Sequence, residues 1–412
     1  MKCKVVIIGH GYTSRLAVIR SVAQIDCEIT VIVMAKHKRF CNKLDTTKPI
    51  DCLSKYVSNV YYCWECDGEG LIQLLLDKCY DPQQKVVIIP DSDFSASVVD
   101  RNYEILKDKF LFPHVNNKAG GVVEWMDKMK QKALAKEVGL NVASSQIVEF
   151  NERKYDIPKN IEYPCFTKPL ATIVGGKQLL RRCDNVAELR TVLDKASSFP
   201  NMRVLVEDFK TIDTEYAVLG FSNGHEAVIP GVIQILELAH GTHYGVAARG
   251  KIMPIDGFEE IIEKFKQFIL KVGFIGVFDI DFYRSGQELY FGELNLRIGG
   301  SMYAVTKMGV NLPAMMVRTL IGENIDDMPR LVSKTAVYVN ERMVRDDWYL
   351  GYISTSDYMR LVGSAELSFV QDEIDPAPQN EYSREFTIMR YKRPIRRVLK
   401  KMYYYARGRQ CS

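Results

Sequence analysis

The residues best suited to chemistry lie between positions 279 and 301. In the stretch FDIDFY, Asp279 and Asp281 stand two apart and share one face of a strand, opposite Ile280 and Phe282. In GELNLR, Glu293, Asn295 and Arg297 share a face opposite Leu294 and Leu296. Ser285-Gly286-Gln287 lies between the two runs and suits a hairpin turn. Folded together, the faces form a floor of carboxylates, an amide oxygen and a guanidinium. Hard divalent cations take oxygen ligands of that kind, and magnesium usually combines one or two carboxylates with substrate phosphates. The guanidinium suits a phosphoryl group. Gly299-Gly300-Ser301 follows at once, where a backbone can approach a ligand closely. The plain alternative is a solvated sheet face with cross-strand charge pairs.

The elements needed to carry such a floor are legible. KVVIIG (4–9), EITVIVM (28–34) and KVVIIP (85–90) read as buried parallel strands. Residues 13–25 and 71–79 read as helices between them, which gives a doubly wound α/β unit. The loop Gly9-His10-Gly11 lacks the third glycine of a dinucleotide fingerprint, since Ser14 stands there. It reads instead as a turn for close backbone approach. Past residue 116 the pattern changes to α+β. A helix at 127–139 ends at Gly139 and another at 258–273 ends at Gly273. Strand-like runs are predicted at 145–150, 203–209, 215–222, 226–236, 244–253, 276–284 and 288–297, and a helix at 312–321.

Length and composition frame this reading. The chain has 412 residues, 47% hydrophobic and 26% charged, which fits a folded protein of two to four domains. Collagen-like and disordered classes are excluded, and no apolar run is long enough to span a membrane. Seven of the ten cysteines fall within the first 79 residues. Cys63 and Cys66 form a CxxC with no second pair, so small buried thiols are expected rather than zinc. His240 and His243 lack partners at metal spacing and read as loop residues; Arg249 and Tyr244 receive no role. A cytoplasmic location is expected.

Residues 390–412 hold nine Lys or Arg and no acid. That +9, against +4 for the chain, leaves −5 for residues 1–389, which argues against nucleic acid as a partner of the body. Ile395, Val398, Leu399 and Met402 recur at helical spacing among the basic residues, followed by Tyr403, Tyr404 and Tyr405. Two readings stand level: a helix lying on an anionic membrane, and a terminal helix docked on the acidic body.

The constellation resembles the ATP-grasp superfamily over most of residues 1–322. ELNLRIGGS is similar to that family's ExNxRxGGS-type signature, with Asp281 twelve residues before Glu293 as its first metal acid. The resemblance implies that Asp281, Glu293 and Asn295 hold magnesium (or manganese) and that Arg297 stabilises the transferring phosphoryl group. It implies phosphate contacts from Lys128 in MDKMKQKALAKEVGL and Lys168 in FTKP, and a lid loop at Gly175 and Gly176. Glu207, with the backbone of Asp208 and Phe209, would meet the adenine, and Glu215 the ribose. Taken alone, Lys128 reads as a solvated helix charge. IIPDSDFSASVVDRN (88–102) resembles the substrate-facing loop of ligases of the D-aspartate-ligase type, and DEIDPAPQ (372–379) a segment of cell-surface-polymer ligases.

The implied architecture is an α/β fold. A pre-ATP-grasp domain (1–115) precedes a lid subdomain (116–205), a metal-bearing subdomain (206–330) and a C-terminal extension with the basic tail (331–412). The implied function is an ATP- and magnesium-dependent carboxylate–amine ligase working through an acylphosphate, in cell-envelope or surface-polysaccharide assembly. Its partners would be a small carboxylate and an amine, with a homodimer and peripheral membrane contact as further expectations. The alternatives are another ATP-grasp outcome, a carbamoyl-phosphate-synthase-like kinase or a carboxylase, and a nucleotide-binding protein without turnover.

Overall fold

A computed structural model describes residues 3–35, 49–64, 67–151, 154–170, 179–199, 201–240 and 245–406, except the side chains of Tyr12 and of 395–406. The N-terminal apolar runs form a parallel sheet in the order Val57–Trp64, Cys27–Ala35, Cys3–Gly9, Lys85–Pro90. Three of these strands match the sequence prediction. The fourth, Val57–Trp64, was not predicted; this edge strand is mostly half-buried and has the polar Ser58 and Asn59 near its start. The helix expected at 71–79 starts earlier, at Gly68, where the Asp67 side chain accepts from the Gly70 amide; it finishes in a wider turn over Leu75–Cys79.

Strand order reverses beside Cys3–Gly9, with Cys27–Ala35 on one flank and Lys85–Pro90 on the other. A crevice at the carboxyl ends of Cys3–Gly9 and Lys85–Pro90 follows from that topology. Gly9 lies in it, and a Cβ there would stand 1.6 Å from the Asp91 carboxylate. Close approach, not dinucleotide binding, accounts for this glycine.

Residues 145–208 form an antiparallel sheet in the order Ser145–Glu149, Arg203–Asp208, Cys165–Pro169, Arg181–Cys183. The helix Val186–Ala196 buries Leu189, Val192 and Leu193 against it. We call this unit the lid. A larger mixed sheet forms the body. Its path runs Glu288–Asn295, Phe274–Ser285, Thr214–Asn223, Val232–Leu238, Ala247–Met253, Ala336–Val339, Leu367–Ser368. The helix Glu259–Val272 packs Phe265 and Phe268 against Phe278, Phe282 and Phe291 of this sheet. It ends at Gly273 in the left-handed conformation (φ 72°), as predicted. The Lys128–Glu137 helix starts at Asp127, whose carboxylate accepts from the amides of Met129 and Lys130.

Residues beyond 330 are woven into the body. Ala336–Val339 pairs with Ala247–Met253, and Leu367–Ser368 extends the same edge. The last helix, expected to begin after Pro394, starts at Ala377 and runs to Ala406 through that proline. Loss of one backbone donor at Pro394 has not broken it. Among the described residues no helix is long and apolar enough to cross a membrane. Cys63 is buried; Cys66 lies outside the described residues.

Candidate active site

The hairpin sets the site. Asp279 pairs in register with Asn295, and Asp281 with Glu293. Directly opposed residues of an antiparallel pair share a face. Ile280, Phe282, Leu294 and Leu296 are buried on the other side, so the acids are turned away from the core. A bulge follows Asp281, and Gly292 sits there because a Cβ would come within 2.9 Å of the Asp281 carbonyl oxygen. The next strand places Ala217 opposite Asp281 and Glu215 opposite Tyr283, which adds Glu215 to the same face.

This face is short of positive charge. Burial, reinforced by Glu293 and Asp93, pushes the Asp279 carboxyl up to about 6 against the pull of Arg297. Asp281 is raised well above the usual carboxylate range by surrounding protein and by the like charges of Asp279 and Glu293. Its side chain nevertheless opens to solvent, which describes the floor of a cleft. Burial also raises Glu215. The Asp279 Oδ1 atom is buried without a hydrogen-bond partner. An orphaned carboxylate oxygen beside mutually repelling acids is the chemistry a hard divalent cation satisfies. Among the described residues no three His, Cys, Asp or Glu side chains converge as a complete cation site. The expected cage has only two carboxylates and an amide, and phosphate oxygens would complete it.

Two basic groups meet the floor, and a third stands in the lid. Lys128, at the first turn of its helix, places Nζ 2.6 Å from Glu293 Oε1. Arg297 Nε donates to Asp93 Oδ1 at 2.9 Å and Nη2 to Asn295 Oδ1 at 3.3 Å. Although burial opposes it, the charges of Asp93 and Asp279 hold this guanidinium above its ordinary value. Lys168, in the lid, places Nζ 2.7 Å from Glu207 Oε2. Glu207 is 5% exposed and also pairs with Lys132. Despite its burial, the two lysines keep Glu207 below the usual range.

The structure thus gathers Lys128, Asp281, Glu293, Asn295 and Arg297 directly, with Glu215 on the same sheet face. Glu207 and Lys168 form a second cluster in the lid. Asp208 ends the lid strand Arg203–Asp208, and Phe209 follows it. Their amides donate to the carbonyls of Ser144 (3.0 Å) and Pro164 (3.2 Å), because Glu207 and Asp208 lie inside the lid sheet. Any nucleotide contact from these two residues therefore uses carbonyls or side chains. Gly175 and Gly176 lie outside the described residues, as do His243 and Tyr244. His240, read as a plain loop residue, holds Nδ1 3.0 Å from Asp347 Oδ2. Arg249 pairs with Glu237 at 3.2 Å.

Two participants escaped the sequence reading. Asp93 opens the helix Asp93–Arg101 and brings the N-terminal unit to Arg297. Only its place in the 88–102 segment hinted at this. Lys132 stands four residues after Lys128, on the same helix face. That spacing was the available signal.

Comparison with known proteins agrees with this geometry. Residues 127–328 match the family model of the carbamoyl-phosphate synthase L chain, ATP binding domain. The carbamoyl phosphate synthase large chain of Gemmatimonas aurantiaca is 26% identical over 278 residues, covering 64% of this chain and 25% of that protein. A formate-dependent phosphoribosylglycinamide formyltransferase of Saccharolobus solfataricus is 24% identical over 251 residues, covering 60% of this chain and 63% of that one. The chain spans about a quarter of the length of the synthase large chains it matches. In fold it is similar to the L-amino acid ligase of Bacillus licheniformis (TM-score 0.60, 13% identity, 81% of this chain and 80% of that one). It is also similar to the N5-carboxyaminoimidazole synthetase of Staphylococcus aureus (TM-score 0.58, 19% identity, 81% of each chain). With its acid-floored hairpin, its lysine-bearing lid and its α/β unit in front, the chain carries an ATP-grasp domain over residues 127–328.

Proposed function

We propose that this protein is an ATP-dependent carboxylate–amine ligase. The observation that supports it most is the register of the hairpin, which sets Asp281 beside Glu293 and Asn295 beside Asp279, with Arg297 next along the chain. Asp281, Glu293 and Asn295 would hold magnesium, which supplies charge neutralisation on the triphosphate. Lys128 and Lys168 would bind and orient phosphate oxygens from opposite walls of the cleft. Arg297, steadied by Asp93, would meet the charge that develops as a carboxylate oxygen attacks the γ-phosphorus. That attack yields ADP and an acylphosphate; an amine then displaces phosphate to form the amide. The chain's own work is positioning and exclusion of water, since the acylphosphate hydrolyses. Glu215 would accept ribose hydroxyls, and the 171–178 segment with Gly175 and Gly176 would cover the phosphates.

The proteins of similar fold include an L-amino acid ligase and an N5-carboxyaminoimidazole synthetase. Both carboxylate and amine are therefore open to a panel. Phosphate release from MgATP, measured across bicarbonate, amino acids, hydroxy acids and amines, tests the reading. Turnover is expected with one carboxylate–amine pair. Glu293→Gln and Arg297→Ala should each lower it by two to three orders of magnitude, the effect of losing one preorganised charge contact (about 2.7–4 kcal/mol). Wild-type turnover in either folded variant would refute the assignment. Cell-envelope or surface-polysaccharide assembly is the setting we propose. Residues 390–412 would rest on an anionic membrane surface at its cytoplasmic side, and a homodimer is the proposed assembly.

A further inference from the structure

We infer that Lys132 is a positioning residue for the nucleotide site, a strut that ties the lid to the body through Glu207 and thereby sets where Lys168 stands. The inference rests on the ATP-binding reading above.

Lys132 belongs to the body. Its helix is bound to the metal-bearing hairpin by Gln131, whose amide nitrogen donates to the Leu294 carbonyl (2.9 Å) and whose oxygen accepts from the Leu294 amide (2.9 Å). Glu207 belongs to the lid, on its central strand, flanked by Ser145–Glu149 and Cys165–Pro169. The Lys132–Glu207 pair therefore crosses from one unit to the other at the point where the chain leaves the lid. Lys132 also donates to the Ala143 carbonyl at 2.9 Å, just where the chain enters the lid. One ammonium thus holds both connections between the units. It is 5% exposed, as is its partner, so neither is a loose surface charge.

A buried carboxylate must be neutralised. With Lys132 present, Glu207 has a full counter-charge from the body, and Lys168 needs to supply only part of its pairing. Lys168 remains more open than Glu207, with 27% side-chain exposure against 6%. It can therefore turn toward a phosphate without leaving the acid unpaired. Without Lys132, Lys168 becomes, among the described residues, the only cation on a buried acid. Its attraction to Glu207 then competes with the nucleotide. Lys132 need touch neither ATP nor magnesium to have this effect.

The test is a double-mutant cycle read by MgADP binding in titration calorimetry, with ATP kinetics beside it. Wild-type protein should bind MgADP; no binding would sink the nucleotide reading itself. Lys132→Met should weaken MgADP about tenfold or more, the equivalent of 1.4 kcal/mol. In kinetics KM for ATP should rise while kcat changes little. Adding Glu207→Gln to Lys132→Met should recover affinity, because Lys168 is released when the acid is neutral. The comparison of Glu207→Gln with the double variant carries the test even if Lys132→Met alone folds poorly, since the acid is neutral in both and Lys132 keeps the Ala143 carbonyl in the first. Those two should bind MgADP equally. A further loss on removing Lys132 from the Glu207→Gln protein, or wild-type affinity in Lys132→Met, overturns the inference while leaving ATP binding intact.

Discussion

At the scale of single residues, the site and its surroundings are governed by burial of charge. Asp91 lies beside Gly9 and accepts from Ser14 Oγ at 2.9 Å. Burial raises its carboxyl to about 6, against the pull of Arg15. The raised value means that the folded state favours the protonated acid. Its stabilising contribution is complete below the unfolded value near 4 and is lost as pH rises through about 6. Asp91→Asn removes that dependence. Between pH 5 and 7.5, wild-type stability should fall relative to the variant by about 1–1.5 kcal/mol. Urea midpoints at the two values measure it; parallel pH profiles would count against it. Arg15 differs from Asp91 in having a full partner. Its Nε and Nη2 meet Asp51 at 2.6 and 3.0 Å, with both side chains buried.

At the scale of elements, the hairpin and the last helix show opposite degrees of commitment. The hairpin is fixed by two-residue periodicity, and its inner residues enter a phenylalanine-rich core. The helix Ala377–Ala406 is held by the body only in part. Tyr382 donates to the Glu341 carbonyl at 2.9 Å, and Phe386 stacks on Trp348 and Tyr358. Arg393 donates to Ile353 and Thr355 and lies over Trp348. Tyr391 beside it is 75% exposed. Most of the basic charge follows Arg393 in sequence; the backbone is helical as far as Ala406, and the side chains from residue 395 on lie outside the described residues. Vesicles containing phosphatidylserine should pull down the full chain at low salt, at about 1 kcal/mol per basic residue near the surface. A chain ending at Pro394 should stay in the supernatant. Equal sedimentation of the two would remove the membrane reading in favour of docking on the body.

At the scale of the whole molecule, the two ends of the chain are fastened together. Arg20, in the first helix, donates through Nε to Asp375 Oδ2 at 3.0 Å, and through its other nitrogens to the carbonyls of Asp375, Phe369 and Val370. Asp375 is fully buried and also accepts from the Lys55 amide. Removing one partner of such a pair strands a charge. Arg20→Met should therefore cost about 3–5 kcal/mol in denaturant unfolding, and Arg20→Met with Asp375→Asn should cost less. A double variant as unstable as the single one would contradict this account. The same fastening explains why residues beyond 330 do not stand apart. DEIDPAPQ contributes the acid that closes the N-terminal unit onto the body.

Short-range rules let the sequence alone determine much of this protein. Period-two alternation placed Asp281 with Glu293 and Asn295 on the open face, because a strand has only two faces. Apolar runs bounded by glycine marked three parallel strands, and Gly273 marked a helix end. Tertiary structure decided what depends on long-range charge. Lys128 read alone as a solvated helix charge until Glu293, far along the chain, supplied its partner. Lys132 and Asp93 went unassigned for the same reason. The amides of Asp208 and Phe209 were spent by lid neighbours that no local pattern reveals. A side chain's type is written in the sequence, but its electrostatic partner is chosen by the fold, since the energy of a buried charge depends on everything packed around it.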